Sequence, residues 1–177
     1  MMDAREFFRI TPRNIAGVVS MLLLFAGYHV VRIQMTKLDE DIVYAHYQES
    51  INATRMFDAK TLCSTMHKDY RMVDVAKTPR GEQRIVMDQA QACDATRESM
   101  KMMKKIVAAT KLEPEFKYTI ESVDLSPDRK EASVKIRASM RIGKRFSVST
   151  AGTETLVRRW GQVYSTFSDT RSTVSIR

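Results

Sequence analysis

The hydrophobic period of this chain changes at Pro114, and that change restricts the fold more than any other feature. Beyond it, apolar residues alternate with polar ones. Ala132, Val134, Ile136, Ala138, Met140 and Ile142 fall on one side, with Ser133, Lys135, Arg137, Ser139 and Arg141 on the other. Period two over that length describes a strand with one buried face. Phe116, Tyr118 and Ile120 alternate in the same way with Lys117, Thr119 and Glu121, and Ser126-Pro127-Asp128-Arg129-Lys130 supplies a hairpin turn between the two strands. Gly143-Lys144 turns into a strand carrying Phe146 and Val148, which is expected to bend near Gly152 and run through Leu156 to Trp160. Gly161-Gln162 leads into Val163–Ser168, and a last short strand holds Val174 and Ile176. Four antiparallel strands after a helical half give an α+β domain, with helices packed on one face of a curved antiparallel sheet.

Before Pro114 the spacing is helical. Met35, Leu38, Ile42 and Ala45 share a face over residues 34–57, with Asp39-Glu40-Asp41 on the solvated side. Asp58 is placed to cap a helix running to Tyr70, with Ala59, Leu62, Cys63, Met66 and Tyr70 as its apolar stripe. Arg71–Val75 reads as a short strand and Lys77-Thr78-Pro79-Arg80-Gly81 as a turn. A long helix is expected over Glu82–Thr110. Val86, Ala90, Cys93, Met100, Met103 and Val107 form its apolar side, opposite Arg97, Glu98, Lys101, Lys104 and Lys105. Met100, Met102 and Met103 suit core filling or an adaptable groove.

Cys63 and Cys93 are the only cysteines. In an oxidising compartment they suggest one disulfide, in a reducing one two buried thiols. Both lie on inward stripes of consecutive helices and can meet if those helices pack side by side, closing a loop worth about 3–4 kcal/mol. With no CxxC and only scattered histidines, no metal site and no cofactor are expected.

Asn14–Val31 contains no Lys, Arg, Asp or Glu and is bracketed by Arg13 and Arg32. As a helix it reaches about 27 Å, near the hydrocarbon thickness of a bilayer. A buried helix would need a larger core than the remaining chain supplies. A cleaved signal peptide would need a small-x-small site, and only Ala26-Gly27 is offered. The expectation is an uncleaved single span, which makes the protein an integral membrane partner. Arg5, Arg9 and Arg13 outnumber the basic residues just after the run, which favours a cytoplasmic N-terminus. The layout is then a cytoplasmic tail over 1–13, a span over 14–33, a helical stalk over 34–57 and an extracytoplasmic domain over 58–177, in the periplasm behind a bacterial inner membrane.

The net charge of +8 is scattered rather than gathered in tracts, and no RNA-binding aromatic signature occurs, so nucleic acid is not an expected partner. One basic strand face stands out: Lys135, Arg137 and Arg141, with Arg158 placed nearby, form a candidate docking face for an acidic partner.

The run Phe57-Asp58-Ala59-Lys60-Thr61-Leu62 through His67-Lys68-Asp69-Tyr70 resembles the opening helix of the nuclear transport factor 2-like superfamily, which includes SnoaL-type cyclases and ketosteroid isomerase. The resemblance covers residues 37–177. It implies a cone in which a bent sheet wraps helices around a pocket, and a capacity for homodimers. In layout the chain is also similar to bitopic periplasmic assembly subunits of type IV secretion systems, an analogy of architecture alone.

An enzyme of that fold would need a buried acid or histidine and an oxyanion donor. His67, Asp69, Tyr70 and Asp74 are the pocket candidates. The 132–142 strand offers only apolar residues inward, so no inward-facing strand acid is expected and no catalytic residue is assigned. The expected function is therefore binding, or assembly of an envelope complex, without catalysis. The alternative is a small-ligand enzyme or binding protein that uses the pocket. A closed interior filled by Met and Phe would favour the first, an open cavity with convergent polar side chains the second.

Overall fold

A computed structural model describes residues 12–79, 81–143 and 146–176; the side chains of residues 12–19 and 176 lie outside that description. The chain divides after Met35 into two units. The first contains helix α1 (Pro12–Gln34), along which Met21 through Phe25 are exposed. Among the described residues no helix is long and apolar enough to cross a membrane. The single-span expectation is therefore not supported by the structure, and most of the expected tail lies outside the described residues.

The expected stalk is not continuous with α1. Asp39 caps a new helix, α2 (Glu40–Arg55), by accepting from the Ile42 N–H at 2.9 Å. Asp39 thus starts the helix rather than lying on its solvated side. Leu38, just before the cap, is fully buried in the second unit with Val43, Tyr47, Ala132, Val134 and Leu156. It is fixed there by two bonds to Arg129 in the turn over residues 126–130: the Leu38 N–H donates to the Arg129 carbonyl, and the Arg129 Nε donates back to the Leu38 carbonyl.

The helix expected to run to Tyr70 stops early. Asp58 caps α3 (Ala59–Ser64) through the Lys60 and Thr61 N–H groups, and β1 (Met66–Thr78) follows at once. The helix expected from Glu82 also starts late. Residues Gly81–Asp88 form β2, and α4 (Gln89–Thr110) begins at a capping box in which Asp88 and Gln91 each accept from the other's backbone N–H. Four strands follow: β3 (Glu115–Leu125), β4 (Glu131–Ile142), β5 (Phe146–Arg159) and β6 (Gln162–Ile176).

The sheet therefore has six strands rather than four, in the order β2-β1-β6-β5-β4-β3, and is mixed because β1 runs parallel to β6. The expected final strand is the end of one long β6. Gly152 sits where β5 and β6 approach closely: a Cβ there would collide with the Asp169 carbonyl oxygen and lie 2.7 Å from Thr170 Cα. Helix α2 packs on α3, β3 and β6, and α4 packs on α3, β1 and β2. Cys63 on α3 and Cys93 on α4 form the anticipated disulfide, with Cα atoms 5.2 Å apart.

Candidate functional site

Strand register decides which side chains enter the space between helices and sheet. On β5 the residues paired with Ala132, Val134 and Ile136 are Leu156, Glu154 and Gly152. Ala132 and Val134 are buried against the core, so Glu154 points inward with them. An inward-facing strand acid thus exists, contrary to expectation.

Glu154 is half-buried by surface because it borders a cavity, yet protein surrounds its carboxyl group. Tyr47 Oη donates to Glu154 Oε2 at 2.7 Å, and Ser165 Oγ donates to Oε1. Burial raises the carboxyl above its ordinary range, opposed by the hydrogen bonds from Ser165 and Tyr47. The same burial, reinforced by the Glu154 charge, holds Tyr47 protonated, and Tyr70 is pushed up to about 12 for the same two reasons. Between Tyr47 and Glu154 the proton therefore rests on the phenol. Tyr118 completes the cluster, its ring centroid 5.4 Å from that of Tyr47. Its hydroxyl is buried close to that of Tyr47, with which it interacts, but makes no hydrogen bond of acceptable geometry among the described residues.

These groups line a chamber of about 280 Å³ that also touches Leu62 of α3, Thr65 just after it, and Thr96 and Met100 of α4. A larger cavity of about 540 Å³ adjoins it between α2, α4 and the inner faces of β3–β5. Its walls are mainly apolar, with Ile51, Met103, Ile106, Phe116, Met140 and Val148 prominent. Tyr118 and Met100 border both spaces, so the Tyr118 hydroxyl stands at the neck between them. Met100, Met102 and Met103 line the larger cavity rather than filling it.

The four pocket candidates separate. Tyr70 lines the smaller chamber. His67 and Asp69 alternate with Tyr70 along β1 and border neither cavity. His67 lies against Tyr164, and its Nδ1 accepts from the Asp69 N–H at 3.2 Å, while the Asp69 carboxylate is exposed to solvent. Asp74 is buried on the inner face, where Thr170 and Ser172 donate to it at 2.8 and 3.0 Å, away from both spaces. His46 borders the smaller chamber, its pKa lowered to about 4 by burial. Among the described residues no group of three or more His, Cys, Asp or Glu is placed to hold a metal ion.

The basic face also divides. Lys135, Arg137 and Arg141 are exposed on the outer side of β4, with Arg137 paired to Glu121 at 2.8 Å. Arg158 falls on the opposite side, in register with Leu156, and donates from Nη1 to the Lys37 carbonyl at 3.0 Å.

No family model matches the sequence, nor does any curated protein. Solved structures share the fold. A conserved protein from Planctomyces limnophilus superposes with a TM-score of 0.55 at 16% identity, over 78% of this chain and 98% of that one. Nuclear transport factor 2-like proteins of unknown function are also similar. One from Silicibacter pomeroyi has a TM-score of 0.52 at 11% identity, over 77% of this chain and 94% of its own. One from Shewanella baltica has a TM-score of 0.50 at 10% identity, over 75% and 91%. The domain has the nuclear transport factor 2-like fold that the opening helix suggested.

Proposed function

We propose that this chain binds a small, predominantly apolar molecule inside its cone, and that α1 holds the domain at the outer side of a membrane. One observation carries the ligand reading. An open apolar cavity of about 540 Å³ meets a polar chamber at Tyr118, whose hydroxyl makes no hydrogen bond of acceptable geometry among the described residues. That volume is typical of small-molecule sites, which bring a few placed polar groups to an apolar lining. A domain serving only assembly would gain stability by filling the space. A ligand with its body in the larger cavity and one oxygen at the neck supplies the missing hydrogen bond.

The test is photolabelling of the full chain in nonionic detergent with a long-chain alcohol bearing a diazirine, mapped by peptide mass spectrometry. Label is expected on the peptides carrying Met103, Phe116 and Met140, and is expected to vanish in Ala138→Trp, which fills the cavity. Label confined to the exposed surface, or unchanged in that variant, would refute the reading.

A second reading, proton transfer, is favoured by the enclosed Glu154 carboxyl with its raised pKa. It predicts deuterium incorporation next to the carbonyl of a bound cyclic ketone, detected by NMR and abolished in Glu154→Gln. No incorporation above the solvent rate would leave binding alone.

A further inference from the structure

We infer that the ligand is an anionic amphiphile whose head group lies in a second, basic groove beside α3; this rests on the ligand reading above. Arg97, Lys101, Lys104 and Lys105 recur at i, i+4, i+7 and i+8 along α4, spacings that put them on one helix face. They line a groove of about 360 Å³ whose apolar floor is Phe57, Ala59 and Met100. Phe57 holds its place with φ at 54°, a backbone conformation bulky residues rarely adopt.

The four cations are only partly neutralised. Arg97 meets Asp94 at 2.8 Å and Lys101 meets Glu98 at 3.8 Å, while Lys104 and Lys105 have no carboxylate within ion-pair distance among the described residues. Met100 borders the groove, the polar chamber and the apolar cavity alike. Met100 is thus the α4 residue shared by the cationic groove and the apolar cavity.

The polar chamber is a poor place for an anion, because Glu154 already occupies it and its carboxyl takes the Tyr47 and Ser165 donors. An anionic head is repelled there and attracted to the groove. The ligand then lies with its chain in the apolar cavity and its head past Met100, against the lysines. A long chain that ends in a carboxylate and carries one oxygen where it passes Tyr118 fits these requirements.

The experiment photolabels the full chain in nonionic detergent with two diazirine probes of equal chain length, one ending in a carboxylate and one in an alcohol. The carboxylate is expected to label the cavity peptides about tenfold more than the alcohol, as a few partly exposed charge pairs supply. That ratio is expected to fall towards unity in R97Q/K101Q/K104Q/K105Q and at high salt. Comparing the ratio between wild type and variant cancels the partition of each probe into micelles. K104R/K105R keeps the charge and is expected to keep the ratio. Equal labelling by both probes in the wild type, or a preference that survives removal of the four charges, overturns the inference while leaving the cavity reading intact. Failure of both probes to label the cavity overturns both. Should the fourfold variant lose alcohol labelling through unfolding, K104Q/K105Q is measured instead, and an unreduced ratio there refutes the groove.

Discussion

Tyr118 pairs with Ala138 on the inner face of the sheet, where a tyrosine hydroxyl ordinarily finds a partner. A buried hydroxyl without one costs about 1–3 kcal/mol, so Tyr118→Phe is expected to leave stability unchanged or raise it by about 1 kcal/mol. The same variant is expected to lose affinity for oxygen-bearing probes. Urea unfolding checks the first expectation, and a clear loss of stability would show that Tyr118 has a structural partner. His46 and Glu154 give opposite pH dependences. The folded pKa of His46 lies near 4, below its ordinary 6.5, so its neutral form supports the fold above 6.5 and that support is lost as pH falls through 4. A shift of that size corresponds to about 3 kcal/mol. The raised pKa of Glu154 acts the other way: its contribution is fully present below the unfolded value of about 4.5 and is lost as pH rises through the folded value. Thermal melts between pH 4 and 8 are expected to show His46→Gln flattening the acid limb, and Glu154→Gln flattening the opposing slope. Unchanged profiles would refute these assignments. Glu154 was readable in principle, because it shares even-numbered parity with Phe146, Val148 and Leu156 on β5. The bend expected at Gly152 left the phase of the residues beyond it open, while register shows Gly152 as a point of close strand approach within one long strand.

At the scale of elements, the period-two pattern after Pro114 identified the strands of the meander, because each buries one face. Of the two strands before it, β1 was legible only over Arg71–Val75 and β2 was concealed, because the apolar spacings there fit either period. Met66 and Tyr70 are four apart, which suits one helix face and equally one strand face. Only pairing with β6 and β2, contacts distant in sequence, selects the strand. Val86 was absorbed into the long helix in the same way, although the capping box at Asp88 marks where that helix starts. Helix α3 depends on its attachments more than on packing. It has six residues and none of them is buried, so an isolated copy would not persist. Its cap at Asp58 and the Cys63–Cys93 bond fix it against α4. Reduction is expected to cost about 3–4 kcal/mol of stability. Amide exchange is expected to rise first over Ala59–Ser64 and least over β4. If protection falls uniformly, the disulfide supports the whole domain rather than α3.

At the scale of the whole molecule, the disulfide and the apolar N-terminal helix bear on one question, the compartment in which the domain works. A disulfide persists in oxidising compartments and is rare in the cytosol. If the uncharged run from Asn14 to Val31 is an anchor, as proposed above, Arg5, Arg9 and Arg13 ahead of it favour an N-terminus on the inner side. The proposal of an extracytoplasmic domain draws on both, and they fail independently. In cells making the full chain, maleimide is expected to modify Cys63 and Cys93 only when the protein is denatured and reduced. The chain is expected to stay with membranes through an alkaline wash. Thiols that react after denaturation without reductant would place the domain in a reducing compartment. Release by alkali would remove α1 as an anchor, leaving its exposed Met21, Leu22, Leu24 and Phe25 to be covered by a protein partner. A soluble chain beginning after Ala26-Gly27 would identify the run as a cleaved signal instead. That last outcome would still keep the domain outside the cytoplasm, so the disulfide and the cavity proposal would survive it and only the tether would be lost.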